Sequence, residues 1–159
     1  MKPKQGSEMR EFDRLFRKIE QRYHNISLKM GLSDTAGQIL YAMIELGDGC
    51  LQTEIARWYS YSKQTISSAV KVMERKGLLR LEPGKGRDMH LHLTPAGQQL
   101  VERTIYPMID MENSVFSAMS PEERREFLRT IRRYVDIFMA KSGELLHKME
   151  EETEKGANT

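Results

Sequence analysis

The chain carries one cysteine, one tryptophan, five prolines and a net charge of only +2 across 159 residues, and each scarcity removes a class of protein. Cys50 has no second cysteine with which to close an internal disulfide, so nothing points to an oxidising compartment, and a cytoplasmic location is the expectation. A packed, inert thiol is the reading for it, because a lone cysteine usually behaves as a small hydrophobe. No stretch approaches the roughly 20 apolar residues that a membrane-crossing helix needs. The N-terminal MKPKQGSEMREF is basic but has no apolar run behind it, so no secretory leader is expected. No nucleophile, base and orienting group stand in a recognisable arrangement, and paired carboxylates fall only on solvated helix faces, so no catalytic residue and no cofactor is expected. His90 and His92 share one face of a short alternating run, but without cysteines or acids at ligand spacing they read as an exposed face or a phosphate contact, not a metal site. The sequence GKG at residues 84–86 follows a strand and is too short for a phosphate loop.

What the chain does have is an uneven distribution of charge. Between Arg57 and His90 stand eight Lys or Arg (57, 63, 71, 75, 76, 80, 85 and 87) against three acids (Glu74, Glu82 and Asp88), a local balance of +5. From Glu144 to Lys155 five glutamates face two lysines, a balance of −3. A basic middle with an acidic end is the pattern of a molecule that turns one face to a polyanion.

Periodicity supplies the elements. Met9, Phe12, Phe16, Ile19, Tyr23, Ile26 and Met30 recur in steps of three and four, which predicts one long amphipathic helix closed at Gly31. Ser33 or Asp34 caps a second helix, buried through Ile39, Leu40, Met43, Ile44 and Leu46. LQTEIARWYS follows as a short helix with Ile55, Ala56 and Tyr59 inward; Trp58 and Tyr61 flank the next turn and are read as packing residues. In YSKQTISSAVKVMERKG, Ser62 is an N-cap and Gly77 a stop. Ile66, Ala69, Val70 and Met73 make the inner stripe of that helix, and Gln64, Ser68, Lys71 and Arg75 the outer one. A small, polar outer face that ends basic suits entry into a DNA groove, where bulky or acidic groups would meet base edges or phosphates. LLRLEP and MHLHLT then alternate with a period of two, which predicts a hairpin whose tip carries Lys85 and Arg87. Thr94–Pro95 and Ser120–Pro121 open two further long helices, the first with a kink expected at Pro107; from about Glu150 the chain reads as a polar, frayed tail.

The order of elements, with SKQTIS, MERKGLL and LTPAG at this spacing, resembles the MarR family of bacterial regulators; the resemblance is carried by residues 51–100 and the flanking helices. It implies a mainly α fold with a small β wing: a winged helix-turn-helix lobe over residues 33–94, and dimerisation helices over 1–30 and 95–149, with 150–159 as tail. It implies DNA contact through Ser62, Lys63, Gln64, Thr65, Ser67, Ser68 and Lys71, to which the charge pattern adds Arg75 and Lys85, and a minor-groove arginine at the wing tip, the position of Arg87. Two departures stand out. Lys85 and Gly86 replace the acid and arginine that usually precede that arginine, leaving Asp88 as the candidate to hold it, and Ser60 stands where the inter-helix turn usually has glycine. The implied partners are double-stranded DNA at a pseudo-palindromic operator, a second copy of the chain, and a small apolar or aromatic ligand near Met30, Tyr41, Met43 and Met108, with no membrane. The implied activity is repression of a neighbouring operon, such as a transporter or a drug-resistance system. A winged-helix protein-interaction module without DNA binding is the alternative.

Overall fold

A computed structural model of the chain describes residues 2–157. Among the described residues the elements are α1 (Ser7–Lys29), α2 (Asp34–Leu46), α3 (Gln52–Trp58), α4 (Lys63–Arg75), β1 (Leu79–Pro83), β2 (Met89–Leu93), α5 (Pro95–Ser117) and α6 (Pro121–Ala157). They fall into two compact units, Met1–Ile109 and Asp110–Thr159.

The starts of α2, α3 and α4 follow from side chains that satisfy backbone donors a helix leaves unbonded in its first turn. The hydroxyl of Ser33 accepts from the Ala36 amide at 3.2 Å, and that of Ser62 from the Thr65 amide at 3.0 Å. At the start of α3 the Glu54 carboxylate reaches back to accept from the Leu51 amide at 2.7 Å. Inside these limits the apolar stripes converge: Ile39, Leu40 and Met43 of α2, Ile55 of α3, Ile66 and Val70 of α4, Leu91 of β2, and Val101 and Ile105 of α5 are fully buried. Each such side chain contributes roughly 1.5 to 3 kcal/mol by leaving water, so this cluster fixes the angle between α3 and α4.

β1 and β2 pair antiparallel with Leu79 opposite Leu93, Leu81 opposite Leu91 and Pro83 opposite Met89. A third rung was not legible in the sequence: Leu51 forms an isolated antiparallel bridge with His90, the Gly49 amide donates to the Leu91 carbonyl at 2.8 Å, and the Leu91 amide donates to Cys50 at 3.0 Å. The hairpin is thereby stitched by backbone to the connection between α2 and α3. Its open end is tied to the start of α5. The Thr94 hydroxyl donates to the Gly77 carbonyl at 2.6 Å, the Thr94 amide donates to Leu78 at 3.1 Å, and a Cβ on Gly97 would stand 2.1 Å from the Leu78 carbonyl oxygen. Only glycine admits that approach, which gives the LTPAG segment its physical meaning.

In the second unit α6 starts with a reciprocal cap. Glu123 accepts from the Ser120 amide at 2.7 Å while the Ser120 hydroxyl accepts from the Glu123 amide at 3.2 Å. Phe116 meets Phe127 edge-on at 6.2 Å. The helix does not end near Glu150, as the polar composition had implied; it continues to Ala157. Glutamate and lysine are good helix formers, and a Thr153 hydroxyl bond to the Met149 carbonyl and a His147–Glu151 pair one turn apart support the extra turns. Residues 158–159 of the expected tail lie outside the described residues. α5 runs through Pro107 as one helix.

Much of the apolar surface of the long helices stays in water. On α1, Phe16 and Ile19 are more than half exposed, and on α6 Phe127, Ile131, Val135, Phe138, Leu145 and Met149 are exposed. Among the described residues no helix is long and apolar enough to cross a membrane.

Candidate nucleic-acid interface

The turn between α3 and α4 decides where the outer face of α4 points. Ser60 sits there at φ +54°, a positive φ that no other described non-glycine residue adopts. Its amide donates to Arg57, and the Tyr61 amide donates to Ala56 at 2.9 Å, so the left-handed residue closes the end of α3 and redirects the chain. A serine here carries out the task for which glycine is the unstrained choice.

From that turn α4 runs with Ile66, Val70 and Met73 buried and the opposite side in solvent. Lys63, Gln64, Ser68, Lys71 and Arg75 are exposed, Ser67 is half-buried, and neither Lys71 nor Arg87 has a hydrogen-bond or ion-pair partner among the described residues. Ser62 and Thr65 are exposed, but their hydroxyls lie 2.7 Å apart and bond one another, so part of their capacity belongs to the cap.

The wing tip is a tight loop. The Gly84 amide donates to the Asp88 carbonyl at 2.9 Å, and Lys85, Gly86 and Arg87 project into solvent. Asp88 does not hold Arg87, contrary to the sequence reading. Its carboxylate accepts from the Thr53 hydroxyl of α3 and from the Met89 amide, so it anchors the base of the wing to the first helix of the pair. Burial works to raise the Asp88 carboxyl, but those hydrogen bonds outweigh it, with help from the Lys63 charge, and hold the group below its ordinary value. Lys63 therefore lies close to the wing base, at the junction of the two elements that carry the basic residues.

The histidines differ from expectation for a related reason. They do not form a free phosphate-facing surface: His90 Nδ1 lies 2.7 Å from the Gly49 carbonyl, and His92 lies between Asp48 at 2.9 Å and Glu82 at 3.4 Å. The bridge at Leu51, invisible to strand periodicity, turns that face of the hairpin inward. Trp58 also departs from its reading as a packing residue, being 53% exposed, while Tyr61 stays at the surface and donates to Gln38 at 2.8 Å. Cys50 is buried, and its thiol is pushed up to about 11 by burial and by the charges of Glu54 and Asp48.

Met43, one of the four residues read as ligand contacts, belongs to the core; Met30, Tyr41 and Met108 are packed partly buried against it. A cleft of about 530 Å³ opens beside the hairpin, lined by Met43, Ile44, Asp48, Leu93, Gln98 and Tyr106, and includes none of the other three. Among the described residues no group of histidine, cysteine and carboxylate side chains could hold a metal ion.

Comparison with known proteins agrees with this geometry. Residues 30–88, which carry the helix pair and the wing tip, match the MarR family model. No curated protein sequence matches the chain. Among solved structures, MepR of S. aureus in its DNA complex is 21% identical, with a TM-score of 0.68 over 84% of this chain and 99% of that one. NMB1585, a MarR family regulator from Neisseria meningitidis, is 17% identical, with a TM-score of 0.73 over 87% and 99%. A MarR family transcriptional regulator from Silicibacter pomeroyi is 27% identical, with a TM-score of 0.58 over 76% and 85%. Over residues 30–88 the chain is thus similar to the MarR family of transcriptional regulators, and it shares the winged-helix fold of these solved structures.

Proposed function

We propose that the chain is a cytoplasmic, homodimeric repressor that binds a pseudo-palindromic operator in double-stranded DNA and releases it in response to a small apolar or aromatic ligand. The observation that carries the DNA-binding part is the exposed cationic face of one lobe. Lys63, Lys71, Arg75, Lys85 and Arg87 are all in solvent, on a capped helix and the loop of the adjoining hairpin. MepR, which shares the fold, has been solved with DNA. In this reading α4 enters the major groove, where Gln64, Thr65, Ser67 and Ser68 meet base edges; Ser62, Lys63, Lys71, Arg75 and Lys85 meet the backbone, and Arg87 enters the minor groove.

One such helix reads only a few base pairs, so a second copy is needed to span two half-sites about one helical turn apart. The exposed apolar stripes of α1 and α6 are the surface assigned to it, since an isolated chain would keep Phe16, Ile19, Phe138 and Leu145 in water. The ligand is assigned to the neighbourhood of Met30, Tyr41, Met43 and Met108, where flexible thioethers adapt to varied apolar shapes. A neighbouring operon for a transporter or a stress or drug-resistance system is the proposed target, and no catalytic activity is proposed.

Selection of bound duplexes from a random-sequence pool tests the reading. Enrichment of an inverted repeat with half-sites one turn apart supports it; recovery of no sequence above background, with no affinity for duplex at low salt, overturns it in favour of a protein-interaction module.

A further inference from the structure

The imidazole of His92 occupies a position that the DNA contacts do not explain. Nδ1 lies 2.9 Å from an Asp48 oxygen, and Nε2 lies 3.4 Å from a Glu82 oxygen. The two carboxylates belong to different segments: Asp48 to the connection between α2 and α3, Glu82 to β1, while His92 itself is on β2. We propose that His92 is a positioning residue for the wing, and that its proton makes the seating of the wing, and through it duplex binding, fall as pH rises.

The donor count carries this. A neutral imidazole has one N–H, so only one of the two carboxylates can receive a hydrogen bond, and the other faces a nitrogen lone pair. An imidazolium donates a charge-assisted bond to Asp48 and attracts Glu82 as an ion pair at 3.4 Å. With the proton on, three segments are tied through one ring; with it off, one tie becomes a repulsion. The ring has little freedom to turn away. Its side chain is 20% exposed, and a Cβ on Gly49 would come within 3.0 Å of Cε1. Asp48 uses its other oxygen to accept from the Leu93 amide at 2.9 Å, so a slack His92 also slackens the root of the hairpin.

The other charges facing the ring leave the assignment with His92. Burial works to raise the Asp48 carboxyl, but its bonds from His92 and Leu93 outweigh it, with smaller help from the charges of His92 and Arg80, and hold it below its ordinary value. Asp48 therefore stays anionic between about pH 5 and 8, the span across which an imidazole changes charge. Arg80 pairs with the second oxygen of Glu82 and keeps its charge throughout. The Cys50 thiol, pushed up to about 11, is neutral across that span. His90, on the same face of β2, needs only one N–H to bond the Gly49 carbonyl, and its neutral tautomer supplies it.

Amide hydrogen exchange in the full-length chain between pH 5.5 and 7.5, corrected for intrinsic exchange, tests the seating without DNA. Protection of the Gly49, Leu91 and Leu93 amides in the native sequence is expected to fall on the order of fivefold as pH rises, the difference between a charged and a neutral hydrogen bond. His92→Gln and Asp48→Asn are expected to flatten that profile, and His90→Gln to keep it. A native profile shared by His92→Gln overturns the proposal. If His92→Gln fails to fold, an NMR titration of the native chain decides: Leu93 and Gly49 amide shifts that follow the His92 ring support the proposal, and shifts that follow His90 or neither ring overturn it. The duplex half rests on the DNA-binding reading, and its probe is a random-sequence 30-base-pair duplex at fixed salt. A native affinity that falls with pH more steeply than that of His92→Gln supports it. Equal slopes overturn it, and absence of duplex binding overturns it along with that reading, while the exchange result still stands or falls by itself.

Discussion

Three residues separate shape from contact. Arg87 projects from the wing loop, among the described residues without an intramolecular partner, so Arg87→Ala is expected to leave the thermal unfolding midpoint in place and to weaken operator binding by about 1 to 3 kcal/mol. Unchanged affinity in a fluorescence-anisotropy titration would show that the arginine does not meet DNA. Ser60 is the reverse case, a residue that sets geometry. Its φ of +54° costs a non-glycine residue roughly 1 to 2 kcal/mol, part of which Ser60→Gly returns, so that variant is expected to unfold at higher denaturant than the native chain. A lower midpoint would mean that the serine side chain supports the turn. Gly97 is fixed by contact: a methyl group would stand 2.1 Å from the Leu78 carbonyl oxygen, and Gly97→Ala is expected to cost several kcal/mol, measured by urea unfolding.

Elements explain what was legible in advance and what was not. The helices announced themselves because their periodicity and caps are local: Ser33 and Ser62 each accept from an amide three residues on, as the capping rule requires. The outer face of α4 was legible for the same reason, since burial of Ile66, Val70 and Met73 leaves Gln64, Ser68 and Lys71 nowhere but outside. The wing's attachment was hidden because it is made across long sequence separations. Asp88 bonds Thr53, 35 residues away, and His92 bonds Asp48, 44 residues away, and no local pattern encodes either pair. The Asp88 anchor carries its own prediction. A carboxyl held below its ordinary value contributes stability that is complete above the unfolded-state value and is lost as pH falls through the lowered one. The wing is therefore expected to stay docked down to about pH 4 and to detach below it. Asp88→Asn is expected to cost about 1 kcal/mol at neutral pH, read by chemical denaturation, and to remove that part of the acid sensitivity. An unchanged acid transition in the variant would assign the loss of structure to other carboxylates.

At the scale of the whole molecule the decisive quantities are charge placement and unburied apolar surface. A net charge of +2 would give a weak field if it were spread evenly, but residues 57–90 carry a local balance of +5 while residues 144–155 carry −3. The exposed stripes of α1 and α6 predict a dimer at micromolar concentration, its interface within or above the roughly 1,200 to 2,000 Å² of a stable complex. Sedimentation equilibrium that returned a monomer there would leave Phe16 and Phe138 unexplained. Duplex affinity as a function of salt tests the central claim most directly. If Lys63, Lys71, Arg75 and Lys85 each neutralise one phosphate, log K against log salt should fall with a slope of about −3.6 per protomer, about −7 for a dimer, and become shallower by about one unit per protomer in Lys71→Ala. Affinity that does not change with salt, or the same slope in Lys71→Ala, would contradict it.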